Sequence, residues 1–124
     1  MSARIRLRRV YDQPSPSDGY RVLVDRIWPR GVSKEDAELG EWARDLAPSK
    51  KLRRWFGHDP RRWEAFQRRY REELDHHADE IDRLAQRAVQ GPVTLVYAAR
   101  DEQHNNAVIL RDVLQGRLDQ RLEG

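Results

Sequence analysis

The chain has 124 residues, which is enough for one domain with a hydrophobic core. It contains no cysteine, which excludes disulfides, thiolate metal ligands and thiol nucleophiles, and it has no apolar run long enough to cross a membrane. Its 24 basic and 21 acidic residues leave a net charge of only +3, less than a general polyanion binder usually carries. The first ten residues lack the apolar core of a signal peptide, so we expect a cytoplasmic protein without a membrane partner.

The first quarter of the chain predicts two strands joined by a loop. Residues 4–10 alternate arginine with apolar residues, which is the period of a strand with one solvated face. Residues 12–19 carry two prolines and an Asp-Gly pair, typical of a loop, and are too few for a crossover helix. Residues 20–27 form the second strand, which ends before Pro29 because proline cannot donate a ladder hydrogen bond. The direction of the first strand relative to the second is left open.

Two helices are predicted next, each with a capping serine. Ser33 is placed to cap the first, which we expect to run to about Asp45 and to bury Trp42. Ser49 is placed to cap a short second helix over residues 50–56, and a glycine follows where a helix usually ends.

A long third helix is expected to follow. Asp59 and Pro60 form a strong start signal, with Asp as the cap and Pro at the first helical position. Apolar residues then recur at three- or four-residue spacing to about Gln90. Such a helix would be roughly 45 Å long, which exceeds the diameter of a small domain. We therefore expect a break, at His76-His77.

The last strand completes the predicted sheet. Residues 93–98 form a continuous apolar run, as expected for a central strand covered on both faces. About 65 mostly helical residues separate this strand from the second one, a crossover that favours parallel pairing. Asn105 or Asn106 then caps a last helix, and residues 119–124 form a polar tail. The sequence therefore predicts a single α/β domain over residues 1–118, with a three- to four-stranded, mainly parallel sheet flanked by helices and one long helix in the crossover.

Polar loops follow both strands of this parallel pair and define the candidate site. The carboxyl ends of parallel strands share one edge, where the ligands of open α/β sheets bind. Asp25, Arg26, Trp28 and Arg30 follow the second strand. The two guanidiniums could grip a phosphate or carboxylate in bidentate fashion, with Trp28 as an apolar wall. Alternatively, an ion pair between Asp25 and an arginine only pins the loop.

The loop after the last strand carries Asp101, His104, Asn105 and Asn106. It opens a helix whose free N–H groups and positive dipole end favour an anion. The two asparagines add side-chain donors, and the candidates for proton transfer are His104, Asp101 and Asp25. The alternative is that one asparagine is only a helix cap and that His104 is a solvated loop residue.

The other histidines carry weaker signals. His58 follows Trp55-Phe56-Gly57, so it is either part of a turn between helices or a site residue. His76 and His77 cannot both face one site and have no further ligand at a convincing spacing, so we expect no metal site. The sequence contains no nucleophile elbow, Walker motif or dinucleotide-binding motif, and it indicates no cofactor.

Three blocks of sequence together resemble the YeaO-like branch of the bacterial family called domain of unknown function 488. They are RVLVDRIWPRGVSKE, APSKKLRRWFGHDPRRWEAFQRRYREEL and TLVYAARDEQHNNAVIL, and the resemblance covers about residues 5–116. It implies a compact α/β domain with a small, mainly parallel sheet and supports residues 25–31 as part of the pocket, but it implies no reaction. A longer branch carries a Cys-His-Arg cluster roughly where His104-Asn105-Asn106 stand, and a cysteine-free chain cannot share its thiol chemistry.

These observations favour a cytoplasmic protein that binds a small anion, of phosphate or nucleotide type, at the carboxyl ends of the strands. An enzyme with His104 or Asp25 as its acid–base group is left open.

Two alternatives belong to other functional classes. The first is nucleic-acid binding through the arginines, although the acidic residues between them indicate a solvated helix face, and a coding bias would give the same arginine enrichment. The arginines concerned are Arg4, Arg6, Arg8, Arg9, Arg61, Arg62, Arg68, Arg69 and Arg71. The second alternative is a protein-interaction module that pairs through Trp42, Trp55, Phe56 and Trp63.

Overall fold

The structure is a computed structural model that describes residues 5–123. Its centre is a four-stranded sheet in the order β1–β4–β2–β3, in which every pair of neighbours is parallel. The strands are β1 (Ile5–Arg9), β2 (Tyr20–Leu23), β3 (Glu41–Trp42) and β4 (Val93–Tyr97). The predicted α/β class and the parallel pairing of the second and last predicted strands are confirmed.

β4 is the central strand, and all five of its residues are buried. Val93 lies opposite Ile5 of β1 on one side and opposite Tyr20 of β2 on the other. The direction that the sequence left open is thereby settled, since β1 and β2 flank β4 and run the same way. The loop between them returns along β4 to its amino end, where the Thr94 hydroxyl donates a 2.7 Å hydrogen bond to the Asp18 carbonyl.

Within residues 5–123, five α-helices surround the sheet. They are α1 (Lys34–Ala37), α2 (Lys50–Phe56), α3 (Trp63–Leu74), α4 (Ala78–Gln90) and α5 (Asn106–Glu123). Short 3-10 turns lie at Pro16–Asp18, Arg44–Leu46, Pro60–Arg62 and Asp75–His77. None of the helices within residues 5–123 combines the length and apolar character needed to cross a bilayer.

The expected helix from Ser33 to Asp45 is wrong beyond its first turn. Ser33 caps α1, but the helix ends at Ala37, and Glu38 adopts a left-handed conformation with φ 47°. Trp42 lies in β3, half-buried, rather than on a helix. The reason is tertiary, because Glu41 and Trp42 pair with the open edge of β2, and this pairing outweighs local helix propensity.

The expected break in the long helix is confirmed. A 3-10 turn over Asp75–His77 separates α3 from α4. The start signal is also confirmed, since the Asp59 carboxylate accepts a 3.0 Å hydrogen bond from the Arg61 N–H at the head of a 3-10 turn. At the other end of the chain, α5 continues through Glu123, so residues 119–123 of the expected polar tail are helical and exposed.

Both faces of the sheet are covered, as the apolar run of β4 predicts. Leu95 packs in the main core with side chains of α2 to α5, including Phe66 and Leu110. Val96 points to the other face and packs with Val10 and Ala37 in a smaller core. The amino-terminal helical and loop segments thus form one layer, and the four longer helices form the other.

Candidate functional site

The polar loops after β2 and β4 meet at the carboxyl edge of the sheet. The Val24 N–H donates to the Val96 carbonyl at 3.1 Å, and the Ala98 N–H donates to Asp25 Oδ2 at 2.9 Å. The Asn106 side-chain amide then donates to the Val24 carbonyl at 2.9 Å. These three hydrogen bonds hold the two strand ends and the start of α5 together.

A cavity of about 630 Å³ opens at this edge. Small-molecule sites usually have volumes of roughly 300–1,000 Å³. The residues that line it come from both strand ends and from the region of α2 and α3: Tyr11, Asp25, Arg26, Ile27, Trp28, Pro29, Arg30, Ala47, Pro48, Arg53, Phe56, His58, Phe66, Ala98, Ala99, Arg100, Asp101, Asn105 and Asn106. The cavity therefore brings together the residues that the sequence analysis placed in the pocket, with the exception of His104 and Gly31.

Arg26 holds the cavity wall. Its Nε donates to the Pro48 carbonyl at 3.1 Å, and its Nη2 donates to the Ala47 carbonyl at 3.3 Å. These contacts tie the loop after β2 to the segment that leads into α2. The Arg26 guanidinium, which the sequence analysis proposed as a ligand contact, thus uses two of its nitrogens to bind backbone carbonyls.

Trp28 and Arg30 are placed differently from each other. The Trp28 indole N–H donates to the Val32 carbonyl at 2.7 Å, and its ring meets the Trp42 ring edge-on, with centroids 5.4 Å apart. The Arg30 carbonyl accepts a 3.1 Å hydrogen bond from the Tyr11 hydroxyl, which fixes the backbone while the residue remains exposed. Trp28 is therefore a fixed wall, and Arg30 is an exposed cation at the cavity mouth.

The loop after β4 is organised by Asp101. Its Oδ1 accepts hydrogen bonds from the N–H groups of Gln103 and His104, each at 2.9 Å. The backbone N–H of Gln103, followed by the contacts with His104, lowers the pKa of Asp101 below the usual range of a carboxyl. Asp101 thus shapes the turn that leads into α5.

Asn105 is buried and caps α5. Its Nδ2 donates to the Asp101 carbonyl at 2.9 Å, and its Oδ1 accepts from the Val108 N–H at 3.2 Å. This is the helix-cap alternative of the sequence analysis. Asn106, the other member of the pair, uses its amide to hold the end of β2.

His104 lies beside the cavity but does not line it. Its Nδ1 is 2.9 Å from Asp101 Oδ2, and its ring meets the Trp63 ring edge-on, with centroids 5.2 Å apart. The imidazole is thus half-buried between the loop and α3 rather than solvated. This position brings His104 together with Asp101, another proton-transfer candidate, whereas Asp25 belongs to the lining that His104 does not join.

Asp25 is the most unusual electrostatic feature of the cavity. Burial raises its pKa above the ordinary value, while hydrogen bonds from Ala98 and Asn106 and the charges of Arg53 and His58 oppose this effect. No ion pair within residues 5–123 involves Asp25. The alternative that an arginine pairs with Asp25 to pin the loop is therefore not what the structure shows.

Three further lining residues, Arg53, His58 and Arg100, were not proposed, or only weakly proposed, from the sequence. Arg53 lies on α2, and His58 follows the Gly57 cap with φ 57°. Both reach the cavity because α2 packs beside the strand ends. Local sequence patterns do not predict this packing. Arg100 lies three residues after the end of β4, in the same loop as the proposed Asp101. Its position after the strand was therefore a signal that could have identified it.

The arginines of the nucleic-acid alternative are mostly engaged within the chain. Arg6, Arg8 and Arg9 donate to the carbonyls of Ser17, Gln13 and Ala99, at 3.0, 2.7 and 2.9 Å. On the helical side, Arg61 pairs with Asp59, and Arg69 lies over the Trp55 ring. Arg4 lies outside the described residues, and nucleic-acid binding stays a prediction.

The aromatic residues of the interaction-module alternative are not an exposed patch. Phe56 is buried and stacks on Phe66, with centroids 4.2 Å apart. The three tryptophans of that set are half-buried.

Within residues 5–123, no group of three or more His, Asp or Glu side chains is arranged to hold a metal ion.

Comparisons with known proteins give a family but no activity. The family model described as the inactive DUF488-N3 subclade matches residues 4–124. An uncharacterized protein of Mycobacterium tuberculosis is 47% identical over 116 residues, which cover 92% of this chain and 96% of the relative. The uncharacterized protein YeaO of Escherichia coli is 43% identical over 111 residues, 90% of this chain and 96% of YeaO. No solved structure matches the chain significantly.

Proposed function

The chain belongs to the DUF488 family, within the subclade described as inactive, and from this premise we propose that it is a binding protein rather than an enzyme. Its ligand is a small anion of the phosphate or nucleotide type. The binding site is the cavity at the carboxyl edge of the sheet.

The observation that carries this proposal is the charge of the cavity lining. Among the residues that the structure describes, four arginines line the cavity, namely Arg26, Arg30, Arg53 and Arg100, and the last three are exposed. Guanidinium forks match the geometry of phosphate and carboxylate groups. Two carboxylates also line it, but Asp101 is engaged by its own turn. The free guanidiniums at the mouth therefore favour an anion.

The start of α5 supports the same preference. Asn105 and Asn106 line the cavity, so the amino end of an 18-residue helix faces it. Free N–H groups and the positive end of the helix dipole stabilise negative charge there. This contribution adds to the arginines and does not replace them.

The lining favours binding over covalent catalysis. It contains no serine, threonine, cysteine or lysine among the residues that the structure describes, and the Tyr11 hydroxyl donates to the Arg30 carbonyl. His104, an acid–base candidate that contacts Asp101, lies outside the lining. The description of the matching subclade as inactive agrees with this arrangement. We therefore assign no catalytic role to His104, Asp101 or Asp25.

A thermal-shift screen tests the proposal. The purified protein is mixed with inorganic phosphate, pyrophosphate, nucleoside monophosphates, small carboxylates and short single-stranded oligonucleotides. A ligand at one hundred times its Kd stabilises by about 2.7 kcal/mol, which for a chain of this size raises Tm by roughly 10 °C. A shift with a small phosphate compound supports the proposal. A salt-sensitive shift with oligonucleotides alone favours the nucleic-acid alternative instead.

A further inference from the structure

The charges inside the cavity are segregated by depth. Asp25 is half-buried at the end of β2, and its Oδ2 is held at 2.9 Å by the Ala98 N–H. Arg30, Arg53 and Arg100 are exposed. The cavity is therefore acidic at its inner end and basic at its mouth. A site for a simple inorganic anion would not need the acidic group.

The inner carboxylate can accept a further hydrogen bond. Asp25 accepts hydrogen bonds from the Ala98 N–H and from the Asn106 side chain, and it forms no ion pair within residues 5–123. An ionised carboxylate only accepts hydrogen bonds and has about four acceptor sites, so two donors do not saturate it. A ligand N–H group placed against Asp25 would use one of the remaining sites.

The walls between the two ends are apolar. Ile27, Trp28, Phe56, Phe66 and Pro48 all line the cavity. Phe56 and Phe66 are buried and stacked on each other, so this wall is rigid. Such walls suit a flat, weakly polar body between an inner donor and an outer anionic group.

We propose that the ligand is a nucleoside monophosphate whose base carries an exocyclic amine, with the amine at Asp25 and the phosphate at the arginines of the mouth. This inference rests on the proposed function and narrows it. A uracil or hypoxanthine base presents a carbonyl oxygen at the equivalent position, which a carboxylate repels. An adenine or cytosine base presents N–H donors there.

Two matched pairs of nucleotides test this assignment by titration calorimetry. The pairs are CMP with UMP and AMP with IMP, in which a carbonyl replaces the amine and the neighbouring ring nitrogen gains a hydrogen. We expect the amino nucleotide of at least one pair to bind at least about tenfold more tightly. In Asp25→Asn, which keeps an acceptor for Ala98, we expect this ratio to fall close to one. In Arg30→Ala, both members should weaken by a similar factor.

The outcomes separate this inference from the proposed function. If all four nucleotides bind with the same affinity and Arg30→Ala weakens them all, the cavity binds anions but the donor assignment to Asp25 is wrong. A preference for amines that persists in Asp25→Asn overturns the assignment as well. If none of the nucleotides nor inorganic phosphate binds to the wild type, the proposed function fails and this inference fails with it.

Discussion

The Ala98 N–H donates a 2.9 Å hydrogen bond to Asp25 Oδ2 across the ends of two neighbouring parallel strands. This contact joins the two polar loops and orients a carboxylate in the cavity that they form. One oxygen of the side chain is thus fixed by the fold itself. The Asp25 carboxylate therefore links the two strand ends and is also part of the cavity lining.

Arg30→Ala should weaken anion binding without unfolding the domain. The side chain is exposed at the cavity mouth, and the contact from Tyr11 uses the Arg30 carbonyl, which the substitution leaves in place. Loss of a charge-assisted hydrogen bond of roughly 1.5 kcal/mol or more would reduce the affinity about tenfold. Calorimetry with AMP measures the effect, and Arg68→Ala, an exposed α3 position outside the lining, is the matched control. Equal affinities in both variants would remove Arg30 from the site.

Arg26→Ala should lower stability instead. Its guanidinium donates to the Pro48 and Ala47 carbonyls, and both acceptors lose a partner when it is removed. We expect the free energy of unfolding to fall by about 1–2 kcal/mol, against less than about 0.5 kcal/mol for Arg30→Ala. Urea denaturation gives both values. A variant that kept full stability and lost only affinity would show that Arg26 contacts the ligand directly.

Asp25 should make stability depend on pH in a defined direction. Burial raises its pKa, so the folded chain holds this proton more tightly than the unfolded chain does. Its contribution to the free energy of unfolding is complete below the ordinary carboxyl pKa of about 4 and is lost as pH rises through the raised value. Asp25→Asn should therefore gain stability relative to the parent as pH rises from about 4 toward 7.

The pH comparison is best made by denaturation in a His58→Asn background. His58 lines the same cavity and its charge acts on Asp25, so replacing it leaves Asp25 as the group that the comparison follows. Asn tolerates the left-handed conformation at this position, where φ is 57°. A difference between parent and Asp25→Asn that stays constant over the range would contradict the raised pKa.

Two glycine substitutions should have opposite effects. Gly19 has φ 64°, and a Cβ there would lie 2.4 Å from the Pro92 carbonyl oxygen, a backbone atom at the amino end of β4. Gly19→Ala should destabilise by about 2 kcal/mol or more. Gly116 lies within α5 with open space around it, so Gly116→Ala should stabilise by about 0.5–1 kcal/mol. Thermal unfolding of the two variants checks both signs, and a neutral Gly19→Ala would mean that the loop can move away from β4.

The fold was predictable where local chemistry and tertiary structure agree. Local sequence patterns predicted three features: the apolar run of β4, the helix start at Asp59-Pro60 and the break at Asp75–His77. The short β3 was not, because Glu41 and Trp42 are a strand only through their pairing with β2. Local capping by Ser33 is real, but it does not determine how far α1 extends.

For the candidate site, the sequence predicted which residues line the cavity better than it predicted what each side chain contacts. Arg26 and Arg30 look alike in the sequence, yet one holds two carbonyls and the other is exposed. Arg53 joins the cavity only because α2 packs beside the strand ends. The division between structural and free guanidiniums depends on where distant carbonyls lie, which no spacing rule supplies.

The most direct test of anion binding at the strand ends is an NMR titration of the ¹⁵N-labelled protein with AMP, repeated with inorganic phosphate. The account predicts saturable shifts of backbone amides confined to residues 25–30, 98–106 and the region of Arg53 and His58, with weaker binding in Arg30→Ala. No saturable change with either compound, or changes confined to β1 and the exposed face of α3, would contradict it.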